Sequence, residues 1–433
     1  MGNQMRVLLI GLNYTPESTS IGPYTADLAK HLQNEGHEVS VSTGFPCAPQ
    51  WKIWEGYQGR FRMRETIDGV PVQRTWLYIP KQPRRAFQRI LFDCSFAVSA
   101  FLGNLFTRAD LIVVISPPLQ AGLTGWLLGI LNGAPCFFHI KDLVPDAAIA
   151  VGSMREGHWT VRLAHALERF VYRRMAGIGV ITPGFQRNLE RKGVPSEKIA
   201  LLPDYIDPDF VRPGPSDNEF RAANGIPRDA FVAMYSGSVA LKQGLKTFVE
   251  TAAQLREHPG VLFYLIGEGP YLGELKNLSQ SLGLSNLRFL PLQPRPAMPL
   301  QLAAADALVV TQTKAVTDIV FPGKLLYYMA AGRPILAAVS SESETGTFIR
   351  EHQVGVVTPP EDPASLAAAI LKLKNNPSLT AELGANGRNV CLRMFDRSKV
   401  LARFTAHLEN LAAGQRPKEA EVAGSTGETG AGA

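Results

Sequence analysis

Cysteine is scarce in this chain of 433 residues. There are four, Cys47, Cys94, Cys136 and Cys391, and no Cys-x-x-Cys pair. That excludes a zinc knuckle or a dithiol redox motif, and a reduced cytoplasmic setting is the expectation. Cys94 and Cys136 lie in apolar runs and read as small core residues. Long hydrophobic runs are missing too. The nearest approach to a membrane span, Phe87–Phe106, is interrupted by Arg89, Asp93 and Asn104, short of the ~20 apolar residues a spanning helix needs. The first apolar run, Val7–Ile10, is shorter than the ~7–15 residues of a secretory signal's hydrophobic region. Neither half contains G-x-G-x-x-G, which argues against a nicotinamide dehydrogenase.

What is present is ordinary globular material, 45% hydrophobic and 19% charged. At ~150 residues per domain, the length suits two or three domains. The net charge of +6 is uneven. Between Arg60 and Arg89, eight Lys or Arg face only Glu65 and Asp68, so this segment alone carries +6. Such a field favours anionic lipid headgroups or nucleic acid, and a solvated basic face is the plainer reading.

The pattern along the chain is strand, loop, helix, repeated. Met5–Gly11 reads as a buried parallel strand, Tyr24–Glu35 as a helix stopped by Gly36, and His37–Thr43 as the next strand. Further strands read at Val70–Thr75, Leu111–Ser116, Pro135–Ile140 and Gly177–Thr182. A second series follows at Phe231–Ser236, Val261–Ile266, Leu287–Leu290, Ala307–Val310, Pro334–Val339 and Gly355–Val357. Helical patterns between them imply two open parallel sheets covered by helices. The run Pro203–Asp229, rich in Pro, Asp and Gly, reads as the seam. The expected domains are 1–205, 206–397, a helix 398–412 crossing back to the first, and a disordered tail 413–433.

Ligands of open α/β sheets bind at the carboxyl ends of strands. In the first half, Gly22 stands just before a helix and could let its N–H groups approach a phosphate. His139 and Asp142 lie at a strand end and could hold a sugar hydroxyl or assist proton transfer; a buried His and a capping Asp are the alternative. In the second half, Gly237, Ser238 and Lys242 lie between a strand and a helix, where Lys242 could neutralise a departing diphosphate. Gly267-Glu-Gly-Pro270 reads as a structural turn. Pro322, Gly323 and Lys324 open a helix that Gly332 ends, placing a cation where the helix dipole alone would disfavour one.

Taken in order, Asn13-Tyr-Thr-Pro-Glu17, Ile21-Gly-Pro-Tyr24, Gly36-His-Glu-Val39, Lys141-Asp-Leu-Val-Pro-Asp146, Tyr235-Ser-Gly-Ser238 with Lys242-Gln-Gly244, Gly267-Glu-Gly-Pro270 and Phe321-Pro-Gly-Lys324 with Met329-Ala-Ala-Gly-Arg-Pro334 resemble the family-four retaining glycosyltransferases of the GT-B fold. Within that family they are most similar to enzymes of colanic-acid and related exopolysaccharide synthesis. The resemblance spans Met5 to Leu411. It implies two facing Rossmann-like domains with a cleft between them, which closure about Pro203–Asp229 would dry. It implies a nucleotide-sugar donor held mainly by the second domain, retention at the transferred carbon, and no cofactor or essential metal. Matching positions put Gly22 near the donor phosphates and Ser238, Lys242 and Lys324 around the diphosphate, with Gly237, Pro322 and Gly323 lining it. The family pattern is broken where Ser238 and Gln243 replace an Arg and a Lys. Ile319 and Tyr327 replace two Glu residues, the second of which usually holds the ribose.

The acceptor is expected on the first domain, near His139, Asp142 and the stretch Lys81–Phe106, where Arg84, Arg85 and Arg89 mix with Phe87, Phe96 and Phe101. A basic, aromatic, amphipathic stretch suits an anionic membrane surface, and a lipid-diphosphate-linked saccharide is the expected acceptor. The protein is therefore expected as a peripheral protein at the inner face of the plasma membrane, with no nucleic-acid partner. Two other functions fit the same motifs: a nucleotide-sugar epimerase, and a non-catalytic sugar-nucleotide-binding assembly subunit.

Overall fold

The computed structural model describes residues 4–17, 21–83, 85–143, 159–314 and 321–415. Contacts divide the described chain into two units. The first holds residues 4–143, 159–202 and 401–415; the second holds residues 203–400.

The first unit is built on an eight-stranded sheet: β1 (Arg6–Gly11), β2 (Glu38–Gly44), β3 (Arg62–Ile67), β4 (Val70–Thr75), β5 (Leu111–Ser116), β6 (Cys136–Ile140), β7 (Gly177–Val180) and β8 (Ile199–Leu201), in the order β3-β4-β2-β1-β5-β6-β7-β8. β1 and β5 are buried along almost their whole length, as continuous Val/Ile/Leu runs require when helices cover both faces. The helices are α1 (Gly22–Asn34), α2 (Ala86–Gly103), α3 (Ala121–Asn132), α4 (Trp159–Arg174) and α5 (Pro183–Arg191). One strand departs from the expected parallel sheet: β3 pairs antiparallel with β4. Its sequence, Arg-Met-Arg-Glu-Thr-Ile, alternates on an exposed edge and lacks the apolar run of an interior strand. Arg74 on β4 leaves the expected basic face altogether. It is fully buried and donates to Glu65, to the Gly44 carbonyl at 3.2 Å and to the Thr15 carbonyl.

The second unit has an all-parallel sheet: β9 (Phe231–Ser236), β10 (Val261–Ile266), β11 (Leu287–Leu290), β12 (Ala307–Thr311), β13 (Ile335–Ala338) and β14 (Gly355–Thr358), in the order β11-β10-β9-β12-β13-β14. Its helices are α6 (Glu219–Ala223), α7 (Lys246–Gln254), α8 (Leu272–Ser281), α9 (Met298–Ala303), α10 (Lys324–Ala330), α11 (Glu344–Glu351), α12 (Pro363–Lys374) and α13 (Pro377–Met394). Two apolar layers sandwich this sheet. One is centred on Met234, Val310 and Met329, the other on Phe248, Phe263 and Leu366. The final helix, α14 (Arg397–Ala412), starts in the second unit, and its residues from Leu401 onward pack in the first, where Phe404 and His407 meet the ring of Phe137. Of the tail expected at 413–433, residues 416–433 lie outside the described chain.

Both sheets share one topological feature. The strand order reverses at β1/β5 in the first unit and at β9/β12 in the second. Loops leaving adjacent strands on opposite sides open a crevice there, and ligands of such sheets bind in it.

Candidate active site

The β9/β12 switch gathers most of the residues singled out in the second half. The loop after β9 contains Gly237, with φ +139°, a conformation that disfavours any side chain. A Cβ at Gly237 would stand 3.1 Å from the Lys324 Nζ. The backbone of the first loop and the side chain opening α10 therefore touch. Gly244 performs a second close approach: with φ +61°, it lies against the backbone of Gln312, where a Cβ would meet the carbonyl carbon at 2.8 Å. Thr313 N donates to the Lys242 carbonyl at 3.2 Å, tying the loops after β9 and β12 together.

Lys324 is the electrostatic centre of this arrangement. Its Nζ is buried and, among the described residues, has no hydrogen-bond partner. It sits 3.7 Å from the centroid of the Tyr235 ring. A ring face attracts a cation but replaces little of the lost hydration. Burial accordingly lowers the ammonium pKa to about 7. Tyr235 is held by its hydroxyl, which donates to the Ser238 carbonyl at 2.6 Å. Tyr328 locks the end of β9, accepting from Ser236 N at 3.0 Å and donating to the Ser236 carbonyl at 3.1 Å. Burial raises both phenols, so they stay neutral donors. Sequence patterns gave no warning of this tyrosine pair, because aromatic residues in apolar runs read as core.

The remaining expected donor residues divide. Ser238 and Gly323 are exposed, and Pro322 is half-buried. Lys242 is exposed, in the short 3-10 turn Leu241–Gln243. The helix dipole expected at Gly323 is corrected in size: α10 has seven residues, about two turns, so few peptide dipoles align and the Lys324 charge dominates. Tyr327, standing where the family has a Glu, packs against the apolar core of the unit. Ile319 lies outside the described residues, as does Arg84.

In the first unit, Gly22 opens α1 beside the β1/β5 switch, and a Cβ there would press to 2.9 Å from the Glu17 carbonyl. Glu17 is buried. Its carboxylate accepts from Asn13 Nδ2 at 2.9 Å and from the backbone N–H groups of Cys47 and Ala48 at 2.8 and 2.7 Å. These bonds fasten the loop after β1 to the loop after β2. Lys141, just past β6, places its Nζ 4.5 Å from the ring centroid of Tyr24. The start of α1, which carries Ile21-Gly-Pro-Tyr24, and the loop carrying Lys141-Asp142 therefore meet. Asp142 is exposed.

His139 is a correction. It was expected to touch sugar or move a proton, but it is 2% exposed. Its Nε2 donates to the Leu202 carbonyl at 3.1 Å, and its ring packs edge-on to Phe404 with centroids 4.9 Å apart. Burial, aided by Lys141, holds its pKa well below the usual value. That bond commits Nε2 to the core, and the buried imidazole stays neutral there. Arg85 is exposed at the start of α2. Arg89 places its guanidinium 4.9 and 5.2 Å from the ring centroids of Trp51 and Phe92, which meet edge-on, and lies 3.5 Å from Asp93. Among the described residues no group of three His, Cys, Asp or Glu side chains is placed to share a metal ion.

With this geometry in view, the comparisons with known proteins are consistent from end to end. Residues 19–204 match the glycosyl transferase 4-like domain, and residues 216–390 match the glycosyl transferases group 1 domain. The chain is 31% identical over 408 residues to a putative colanic acid biosynthesis glycosyl transferase, WcaI, of Escherichia coli, covering 92% of this chain and 98% of that one. It is 24% identical to a probable glycosyltransferase, WbjE, of Pseudomonas aeruginosa, over 72% of this chain and 77% of that one. Among solved structures, sucrose-phosphate synthase from Thermosynechococcus elongatus superposes with a TM-score of 0.72 at 18% identity, covering 95% of this chain and all of that one. Anabaena HepE in complex with UDP superposes with a TM-score of 0.70 at 19% identity, over 94% of this chain and all of that one.

Proposed function

The chain belongs to the family-four glycosyltransferases, with two Rossmann-like units of the GT-B type, and from that premise we propose that it moves a sugar from a nucleotide-sugar onto a lipid-diphosphate-linked saccharide during bacterial exopolysaccharide, capsule or O-antigen synthesis. Transfer proceeds with retention and without a metal ion, at the inner face of the plasma membrane. The observation that carries this reading is the Lys324 ammonium, buried against Gly237 at the β9/β12 switch with no hydrogen-bond partner among the described residues. A buried, unpaired cation is expensive unless an anion comes to it. A nucleoside diphosphate supplies that anion, and HepE, of the same fold, binds UDP.

The bond from the anomeric carbon to the β-phosphate oxygen breaks through an oxocarbenium-like transition state. Its electron pair goes to the phosphate oxygen, where Lys324 and the exposed Lys242 stabilise the growing charge. The acceptor hydroxyl forms the new bond on the same face, and its proton passes to the departing phosphate. This route requires no carboxylate nucleophile, because the departing phosphate itself accepts the proton. The basic start of α2 supports a lipid-linked acceptor.

The test is a panel of nucleotide-sugars with membrane-extracted acceptor, read by mass analysis of the lipid product. One added sugar residue on the lipid is the expected result. Sugar-nucleotide binding with no lipid product would favour the assembly subunit, and an isomerised donor formed without acceptor would favour the epimerase.

A further inference from the structure

We propose that Trp51, Arg89 and Asp93 form a subsite for an uncharged sugar ring of the acceptor saccharide. The ring face lies on Trp51, and its hydroxyls are held by Arg89 and Asp93. The assignment rests on the acceptor being a saccharide, as proposed above. It adds which residues read that saccharide, and it needs no contact with lipid.

Trp51 belongs to the loop that leaves the carboxyl end of β2, the direct neighbour of β1. Adjacent strands lie ~5 Å apart, so this loop stands beside the β1/β5 crevice, within reach of an oligosaccharide bound there. The loop is fastened along its length. Glu17 accepts from Cys47 N and Ala48 N at 2.8 and 2.7 Å. Trp54 N donates to the Pro46 carbonyl at 3.0 Å, and the Tyr57 ring lies 5.0 Å from the Arg74 guanidinium. A loop held in this way loses little freedom when a ligand arrives. Inside it, Trp51 has φ +56°, a left-handed conformation that a bulky residue rarely adopts. Gly or Asn would make the same turn with less strain, so the ring itself accounts for tryptophan here. Its edge-on contact with Phe92, at 5.2 Å between centroids, sets its direction and still leaves it partly exposed. Sparsely populated backbone conformations gather at ligand sites.

The polar half of the subsite comes from α2, where Arg89 and Asp93 stand one helical turn apart. Asp93 is 8% exposed, yet its Oδ1 has no hydrogen-bond partner among the described residues. The Arg89 Nε at 3.5 Å is a charge neighbour, beyond the usual length of a hydrogen bond. A buried carboxylate oxygen without a donor is destabilising, and burial raises this carboxyl to about 6. A sugar hydroxyl is a small, neutral donor that satisfies it. Arg89 is partly exposed, and its N–H groups donate to a second hydroxyl oxygen. An aromatic face beside a few fixed polar groups matches the mixed C–H and O–H surface of a sugar ring. Charge selects the kind of sugar. Asp93 already balances Arg89. Glu17 adds a second negative charge close by, since Glu17 and Arg89 both act on the pKa of the buried Cys47 thiol, the first raising it and the second lowering it. A uronic acid would bring a third carboxylate to this spot, so an uncharged ring is favoured.

The probe is the water-soluble saccharide released by mild acid from the membrane-extracted acceptor. Saturation-transfer NMR with the full chain, and no donor present, reads its binding. The wild type should transfer saturation to the ring protons, equally at low and high salt. Trp51→Gly removes the ring and relieves the left-handed backbone, and it should weaken binding about tenfold. Trp51→Phe keeps an aromatic face and should restore most of the binding. Asp93→Asn keeps the size of the side chain and should also weaken binding about tenfold. Unfolding temperatures at or above the wild-type value would show that Trp51→Gly and Asp93→Asn fold. In the transfer assay, Trp51→Gly should raise the KM for the lipid-linked acceptor about tenfold, with kcat and the donor KM within about twofold of wild type. Wild type that leaves the saccharide unsaturated, or Trp51→Gly and Asp93→Asn variants that bind like wild type, overturns the proposal. So does binding that is lost at high salt, which would mean a charged sugar. Binding is read without donor, so a protein that holds the saccharide through Trp51 but transfers nothing would sink the transferase reading and support this one. A working transferase whose acceptor KM neither variant changes would sink this one alone.

Discussion

At the scale of single residues, Lys324 decides most. Its ammonium is destabilised by burial, with a pKa of about 7 against an unfolded value of 10.5. Between those values the unfolded chain binds more protons, so this residue's cost to stability is relieved as pH rises from about 7 toward 10. Lys324→Met should therefore raise stability near neutral pH, on the order of a few kcal/mol, while lowering turnover ~10²–10³-fold, a trade seen where a strained site serves function. Thermal unfolding and steady-state rates on the same preparation check both halves. A bound diphosphate should raise the Lys324 pKa, so donor binding above pH 7 should take up a proton. Calorimetry in buffers of different ionisation enthalpy measures that uptake, and zero uptake at pH 8 would contradict the assignment. His139 makes the opposite prediction. His139→Ala should cost about 2–4 kcal/mol of stability through a cavity and a lost hydrogen bond, with turnover of the folded protein nearly unchanged. A large loss of turnover at unchanged stability would restore its catalytic role.

His139 also marks where sequence legibility ends at this scale. Its place at a strand end was readable. Its direction was not, because that depends on Phe404 in a helix some 265 positions later. Lys324 was legible as an odd cation in a first helical turn, whereas Tyr235 beneath it looked like any other apolar strand residue.

At the scale of elements, interior strands announced themselves, as did both edges of the second sheet, but the first sheet's edge strands β3 and β8 did not. Leu111–Ser116, Phe231–Ser236 and Val261–Ile266 are strands at the bounds their apolar runs suggest. β3 went unread because an exposed edge strand needs charge and alternation, which resemble a loop. α2 shows how one helix can satisfy two environments. Its buried side includes Asp93, whose carboxyl burial pushes up to about 6 despite Arg89. A raised carboxyl pKa means that the folded unit favours the neutral form, so this cost is present above pH 6 and fades as pH falls toward the unfolded value. Asp93→Asn should thus stabilise the protein by about 1–3 kcal/mol at pH 8 and have little effect near pH 4. Unfolding curves at the two pH values test this, and equal effects at both would contradict it.

At the scale of the whole molecule, the two sheets share one device used twice, a reversal of strand order with loops gathered at the carboxyl ends. The alternation of strand and helix made that architecture legible before any contact was known. The identity of the transferred sugar was not, because side chains around a sugar read as ordinary loop residues. The central claim is that the β9/β12 crevice holds the donor's diphosphate. A crystal structure of the protein soaked with nucleotide-sugar tests it most directly. The account predicts diphosphate oxygens within hydrogen-bond reach of the Lys324 Nζ and of the backbone at Gly237 and Ser238. A nucleotide bound elsewhere, with Lys324 still unpaired against Tyr235, would contradict it.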